Sequence, residues 1–431
     1  MNFREAQEYL ESLGYERSVR KFGLENTYAL LNALDHPERS YRKVQIVGTN
    51  GKGSTCAFLE AICKAANIKC GVTTSPHLIS VTERIRINGE DISEKDFAEY
   101  VTRLRAVAER LVSEGVLDAR PTFFEHITAI ALLVFAERGV DIAILEAGLG
   151  GRFDSTTAAQ AEIIGVSPIG LDHTSTLGNT LALIAAEKAA AFRAECEVAI
   201  AHQAPEALNV IRNRAEECGA ITVYAENSIR ITETGFGDKV SFESNTESYS
   251  EVSLSLKGKH QRENACTAIL LAQILRNHGF EINRKEIIRG LETAVHRGRL
   301  EFENGILFDG AHNSEGAAML REYLLENVSK PKVLVFGMVT GKNSKEAIEL
   351  LFPLAEKIVL TTPNVPRALP ASDLAELAKE FDVVVTENAK QALRTALKLT
   401  KEVRGSIIVV TGSLYLIGEI KSVIQKEGLA G

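Results

Sequence analysis

No stretch of this 431-residue chain approaches the roughly 18 apolar residues in a row that suggest a membrane-spanning helix. The opening MNFREAQEYLESLGY mixes acids with bases and lacks the apolar core of a secretory signal. Cysteines are few and scattered, at 56, 63, 70, 196, 218 and 266, and never form a CxxC pair. A disulfide framework or a zinc site is therefore not expected. A basic surplus is missing as well: 49 Lys and Arg stand against 57 Asp and Glu, a net charge of −8. That balance gives no broad attraction for nucleic acid or for an anionic membrane surface. What is present, 45% hydrophobic and 25% charged residues, is ordinary for a soluble protein, and a cytoplasmic α/β protein is the expectation. The length exceeds what one compact core usually serves, so two domains are expected.

Apolar residues recur at helical spacing from about Phe3 to Leu34, interrupted by Gly14 and Gly23. KVQIVG (43–48) then reads as a buried strand, GTNGKGS (48–54) as a loop and TCAFLEAICKAAN (55–67) as an amphipathic helix. VDIAILEAG (140–148) and AEIIGVSPIG (161–170) add strands, with helical patterns at roughly 96–114, 124–138 and 180–193. Strands alternating with helices predict a parallel sheet covered on both faces. A second set begins near 299 with GILFDGAHN, then KVLVFGMV, KIVLTTP, DVVVT and SIIVVTGSLYLIGEI, with helical patterns between. The expected architecture is α/β: a P-loop parallel-sheet ATPase-like domain over 1–295, then a smaller Rossmann-like α/β domain over 299–431. Polar alternation between 225 and 259 predicts a small antiparallel excursion.

The strongest chemical signal is Gly48-Thr49-Asn50-Gly51-Lys52-Gly53-Ser54-Thr55 between strand and helix. Glycines let backbone N–H groups turn toward phosphates, the helix N-terminus adds its positive dipole end, and Lys52 can reach the terminal phosphates. The spacing GxxGKGS is a variant of the general phosphate loop. Ligands of an open parallel sheet collect at the carboxyl ends of its strands. Glu146 ends one strand, His173 follows another and Ser75 follows Gly71-Val72-Thr73-Thr74, so all three arrive at the edge that carries the loop. A hydroxyl, a carboxylate and an imidazole there suit Mg²⁺ ions bridging nucleotide phosphates. Taken singly, Glu146 reads equally as a helix cap, His173 as a loop histidine and Ser75 as a turn former.

Beyond these residues the chain resembles the folylpolyglutamate synthase/dihydrofolate synthase family, a branch of the Mur ligase superfamily. The resemblance runs in order through Gly48–Ser54, Thr74-Ser-Pro-His-Leu78, Glu83-Arg-Ile85, Leu145–Asp154, Asp172-His173, Leu177-Gly178 and Glu187-Lys188. It continues through His260-Gln261 with Asn264, Gly298-Arg299, Asp309-Gly-Ala-His-Asn313 and Gly412-Ser-Leu-Tyr415. It implies that Thr49, Asn50, Gly51, Lys52, Gly53 and Ser54 hold ATP phosphates, and that Ser75, Glu146 and His173 ligate two Mg²⁺ ions. Lys188 is similar to a lysine that the family often carries as a carbamate. Asn264 corresponds to an adenine-contacting asparagine, and Arg299 and Asp309 to residues meeting the nucleotide from the second domain. His312 and Ser413 resemble residues that position the incoming L-glutamate. The pteroate or folate side falls around Gly23–Glu25, Thr122, Phe124, Glu125, Arg152 and Asp154. Lys52, Lys188 and His312 are the expected catalytic residues, and a monomer is the family expectation.

Two departures stand out. The family usually reads GRLDATN where this chain has Gly151-Arg-Phe-Asp-Ser-Thr-Thr157, and Arg297 replaces the proline of a usual PGR. Both bear on substrate contacts and the hinge, leaving the phosphate loop intact. The implied reaction joins glutamate to a folate-type carboxylate through an acyl phosphate. Two alternatives remain at this point: a Mur-type ligase acting on another carboxylate, or a phosphate-loop switch without ligase activity. A cell-wall ligase is expected to need more chain ahead of residue 48, and a switch has no use for residues 309–313 and 413.

Overall fold

The protein is described by a computed structural model covering residues 1–14, 23–233 and 239–428. It divides into two compact units. The first contains Met1–Pro76, Val81–Ser255 and Arg262–Val295; the second contains His77–Ser80, Leu256–Gln261 and His296–Gly431.

An eight-stranded sheet organises the first unit. Its order is Glu90–Asp91, Ile85–Ile87, Cys70–Thr73, Ile142–Glu146, Arg42–Val47, Ile163–Val166, Glu197–Ile200 and Ile221–Tyr224. The last six run parallel, and the first two add an antiparallel edge. Ile142–Glu146 is buried at every position, because helices cover both faces and leave no side of the strand for water. One face packs on helices Phe123–Glu137, Leu181–Ala189 and Pro205–Cys218, and helices Lys52–Ala65 and His260–Asn277 cover the other. Helix Arg284–Thr293 lies so close to helix Lys52–Ala65 that a Cβ on Gly290 would stand 2.5 Å from the Ile62 nitrogen.

The helical stretch at 3–34 resolves into Phe3–Ser12 and Glu25–Ala33, with 15–22 outside the described residues. Helices Glu94–Ser113 and Phe123–Glu137 fall where periodicity puts them. The one expected at 180–193 stops at Ala189, where the chain turns toward strand Glu197–Ile200. The polar stretch forms an antiparallel sheet of Ile229–Glu233, Lys239–Ser244 and Ser248–Ser253; its residues 234–238 lie outside the described ones.

The second unit carries a six-stranded sheet in the order Glu301–Glu303, Ile306–Asp309, Ile407–Thr411, Lys332–Phe336, Lys357–Thr361, Val383–Thr386. Only the first pairing is antiparallel. Helices Ser314–Asn327, Ser344–Leu351 and Ala371–Leu377 share one core. Helices Ala389–Glu402 and Leu414–Glu427 share the other. Strand Ile407–Thr411 thus sends its helix to one face while both neighbouring strands send theirs to the opposite face. That reversal opens a crevice at the carboxyl ends, where ligands of such sheets bind. Among the described residues no helix is long and apolar enough to cross a membrane.

Candidate active site

The phosphate loop leaves strand Arg42–Val47 at Gly48 and enters helix Lys52–Ala65 at Gly51. Both glycines have positive φ, 143° and 84°, and both are crowded. A Cβ on Gly48 would lie 2.8 Å from the Ser167 carbonyl oxygen, and one on Gly51 would lie 2.1 Å from Asn264 Oδ1. Asn264 therefore stands against the loop, where the family resemblance puts a nucleotide contact. The Thr49 and Asn50 N–H groups donate to the Pro168 carbonyl at 3.0 and 3.2 Å, and Thr49 Oγ1 donates to Gly170 O at 3.1 Å. Lys52 Nζ folds back onto the carbonyls of Gly48 and Thr49, each at 3.2 Å. Thr55 Oγ1 donates to Gly51 O at 3.0 Å, which stabilises the first turn; Ser54 is buried beside it.

On the neighbouring strand end, Glu146 Oε2 accepts the Ser75 N–H at 3.0 Å, so two of the expected metal ligands are joined. His173 takes a left-handed φ of 52°, and its N–H donates to Asp172 Oδ1 at 2.6 Å. Among the described residues no three His, Cys, Asp or Glu side chains gather as a closed metal cage.

Lys188 joins the loop from helix Leu181–Ala189. Its Nζ donates to Gly48 O at 2.5 Å, the carbonyl that Lys52 also approaches. Burial first, and then the Lys52 charge, push the Lys188 amine down to about 7, against the pull of Asp172 and Asp154. A substantial fraction is then a neutral nucleophile near pH 7, the form that adds CO₂ to make a carbamate.

The loop after Glu146 is fastened to the same helix. Arg152 Nε donates to Glu187 Oε1 at 2.8 Å, and the Arg152 N–H donates to Glu187 O at 2.9 Å. Asp154 is expected on the substrate side, yet its carboxylate faces inward. Oδ2 accepts the N–H groups of Gly148 and Leu149, both at 2.8 Å, and Oδ1 accepts Thr156 N–H at 3.0 Å and its hydroxyl at 2.5 Å. Its lone pairs are occupied by its own loop, which it shapes; burial raises its carboxyl despite those donors. Thr157, at the position of the family asparagine, donates to Gly151 O at 2.7 Å and accepts from Gln45 Nε2 at 2.8 Å. Glu125 likewise turns to its own helix: Oε2 accepts the Thr122 N–H at 2.6 Å in a capping box. Phe124 lies against the loop, with its ring 2.8 Å from where a Cβ of Gly148 would stand.

Arg299, Asp309, His312 and Ser413 lie in the second unit. Asp309 accepts from Leu300 N–H at 2.9 Å and Ala311 N–H at 3.0 Å. Burial raises its carboxyl, and the Arg299 charge opposes that rise. His312 Nδ1 lies 2.8 Å from Gly310 O, which places a proton on Nδ1. Ser413 caps helix Leu414–Glu427, its Oγ accepting Tyr415 N–H at 3.1 Å. His312 and Ser413 thus follow strands Ile306–Asp309 and Ile407–Thr411, at the crevice. The family resemblance assigns His260 no role. Its ring is pushed down to about 4, first by burial and then by Arg299, and lies 3.1 Å from Gln261 Nε2. The His260-Gln261 motif was the available signal; its proximity to Arg299 was not.

Residues 46–272 match the family description "Mur ligase middle domain", and residues 299–423 match "Dihydrofolate synthetase, C-terminal domain". The dihydrofolate synthase/folylpolyglutamate synthase of Bacillus subtilis is 34% identical over 93% of this chain and 94% of its own. The folylpolyglutamate synthase of Lacticaseibacillus casei is 28% identical over 98% and 99%. The Mycobacterium tuberculosis folylpolyglutamate synthase complexed with ADP and AMPPCP superposes with a TM-score of 0.89, at 27% identity over 98% of both chains. E. coli FolC in complex with DHPP and ADP gives 0.87, at 28% identity over 99% of both chains. By sequence and by fold, this chain belongs to the dihydrofolate synthase/folylpolyglutamate synthase family.

Proposed function

We propose that this chain uses ATP to join L-glutamate to the carboxylate of dihydropteroate, of a reduced folyl-glutamate, or of both. The observation that supports this most directly is the pair of lysines, Lys52 and Lys188, converging on Gly48 O in a glycine loop backed by Asn264.

A carboxylate is a poor electrophile, and transfer of the ATP γ-phosphoryl group to one of its oxygens supplies a good leaving group. Lys52 offsets charge on the γ-phosphate, and the N–H groups of the loop and of the helix start cradle the phosphates. Ser75, Glu146 and His173 would hold Mg²⁺, which supplies further charge neutralisation between the phosphates. A carbamate on Lys188 would replace a cation with an anion beside the same loop. The glutamate amine then attacks the acyl carbon; the tetrahedral adduct loses phosphate and a proton, leaving the amide. His312 and Ser413 orient the glutamate, while Phe124, Glu125, Arg152 and Asp154 shape the pteroyl side, Asp154 through its loop.

The test is ADP release by purified protein with Mg-ATP and L-glutamate, with dihydropteroate and tetrahydrofolate offered separately and products weighed by mass spectrometry. The expected product is heavier by one glutamyl unit and is lost in Lys52→Ala and Glu146→Ala. ADP release that ignores glutamate and yields no adduct would sink the reading in favour of a nucleotide switch.

A further inference from the structure

We propose that Gln45 is a positioning residue of the reaction: from the strand that leads into the phosphate loop, its side-chain amide fixes the loop that presents Arg152 and Phe153 to the acceptor. That this loop lies on the acceptor side rests on the ligase reading above.

Gln45 is out of place by pattern. It sits inside strand Arg42–Val47, between Val44 and Ile46, and is only 1% exposed. An amide kept from water there costs free energy unless its hydrogens are bonded. In the sheet Gln45 stands beside Leu145, whose side chain shares a core with Ala158 and Ala159 of the turn Ser155–Ala159. On that face Gln45 Nε2 donates one hydrogen to Thr156 Oγ1 and the other to Thr157 Oγ1, both at 2.8 Å.

Both hydroxyls accept from Gln45 because their own protons are committed. Thr156 Oγ1 donates to Asp154 Oδ1, and Thr157 Oγ1 donates to Gly151 O at 2.7 Å. Asp154 in turn takes the N–H groups of Gly148 and Leu149. One amide thus closes a continuous set of bonds across residues 148–157. It also gives Thr157 a use at the position of the family asparagine, as the second acceptor for Gln45. Arg152 and Phe153 are the exposed pair of this loop, at 46% for the arginine side chain and 47% for the phenylalanine. Gly151 on one side of them and Asp154, Ser155 and Thr156 on the other are buried. The tie therefore sets where a guanidinium and an aromatic face stand, and an acceptor with a carboxylate and aromatic rings suits both. The phosphate loop has separate supports, since Thr49 and Asn50 donate to Pro168 O and the Thr49 hydroxyl to Gly170 O. Loss of the amide loosens the acceptor loop and leaves the nucleotide cradle in place.

Four single variants separate the possibilities. Gln45→Met keeps the length and removes both donors, whereas Gln45→Glu turns an oxygen toward two hydroxyls with no proton to spare. Thr157→Val removes an acceptor, and Thr157→Ser retains it. Calorimetry gives the Mg-ADP affinity of each protein and then, with Mg-ADP saturating, its affinity for dihydropteroate and for tetrahydrofolate. Acceptor affinity is expected to fall about tenfold in Gln45→Met and Thr157→Val, and further in Gln45→Glu. Thr157→Ser should stay within about twofold of the wild type, and Mg-ADP affinity should hold throughout. The double variant Gln45→Met with Thr157→Val should lose no more than Gln45→Met alone, because the two act through one bond network. Amide exchange over 148–157 should accelerate wherever acceptor affinity falls. Should Gln45→Met fail to fold, Thr157→Val against Thr157→Ser decides. Wild-type acceptor affinity in the folded variants, an equal fall in Mg-ADP affinity, or no acceptor binding by the wild type overturns the proposal. Acceptor binding without glutamate-dependent turnover in the wild type would instead overturn the ligase reading and leave the affinity comparison intact.

Discussion

Burial sets the acid–base behaviour of a single amine, Lys188. Lys188 is surrounded by protein, faces a carbonyl and shares its space with Lys52, so its charged form is disfavoured to about 7. In the unfolded chain the same amine titrates near 10.5. Between those values the unfolded state binds the extra proton, so stability rises with pH through that window. Below about 7 both states are protonated and the penalty is at its full size, about 1.4 kcal/mol per unit of depression. Lys188→Met removes the penalty. In CO₂-free buffer the variant should be more stable than the wild type at pH 7, with the gap closing as pH rises toward 10.5, as denaturant titrations at several pH values will read. Its ligation rate should fall by at least about 10²-fold. A variant less stable than the wild type at pH 7 would show that the amine is held by favourable contacts, contrary to its depression. Lys188 is legible in the sequence as a family position; its burial beside Lys52 and Gly48 O is not. Asp154 is the reverse case, legible as important but aimed at its own loop, because a carboxylate with two N–H groups six and five residues back satisfies them before it meets a ligand.

Local pattern predicted elements well where one rule dominated. Buried parallel strands show as continuous apolar runs, and KVQIVG and VDIAILEAG were found on that ground. DVVVT was found as a strand too, but its exposure was not: Val383–Thr386 is the free edge of its sheet, and Val384 and Val385 face water. The packing of the Gly148–Asp154 loop on helix Leu181–Ala189 left no trace in periodicity, since it depends on an approach between segments over thirty residues apart. Gly151 marks it: a Cβ would stand 2.5 Å from Lys188 O and 3.0 Å from Glu187 O. Gly151→Ala must push loop from helix, loosen both Arg152–Glu187 bonds and shift Lys188 relative to Gly48. We expect a loss of about 1–3 kcal/mol in stability, and a fall of more than about tenfold in turnover at saturating ATP. Metal-free ADP binding should hardly change, because the Gly48–Lys52 loop is not touched directly. Wild-type turnover in Gly151→Ala would mean that the loop–helix contact has no part in the chemistry.

At the scale of the whole chain, the sequence disclosed the order of the motifs and the two α/β sets, because each motif is contiguous. It could not disclose that His77–Ser80 groups with the second unit, since four residues have no periodicity to read. The same division sets the nucleotide's expected contacts apart: the phosphate loop, Lys188 and Asn264 in one unit, Arg299 and Asp309 in the other. Each unit has its own hydrophobic cores, so protection by a ligand need not spread from one to the other. Amide exchange with Mg-ADP at 100 times its dissociation constant adds about 2.7 kcal/mol of protection wherever opening requires release of the nucleotide. In the wild type we expect protection over 44–58 and again over 298–312. Arg299→Ala should keep the first and lose the second, whereas Lys52→Ala should weaken both through lower affinity. If 298–312 gains no protection in the wild type, Arg299 and Asp309 do not reach the nucleotide. Asp309 would then be read from its bonds to Leu300 and Ala311, as an internal brace for the turn that presents His312.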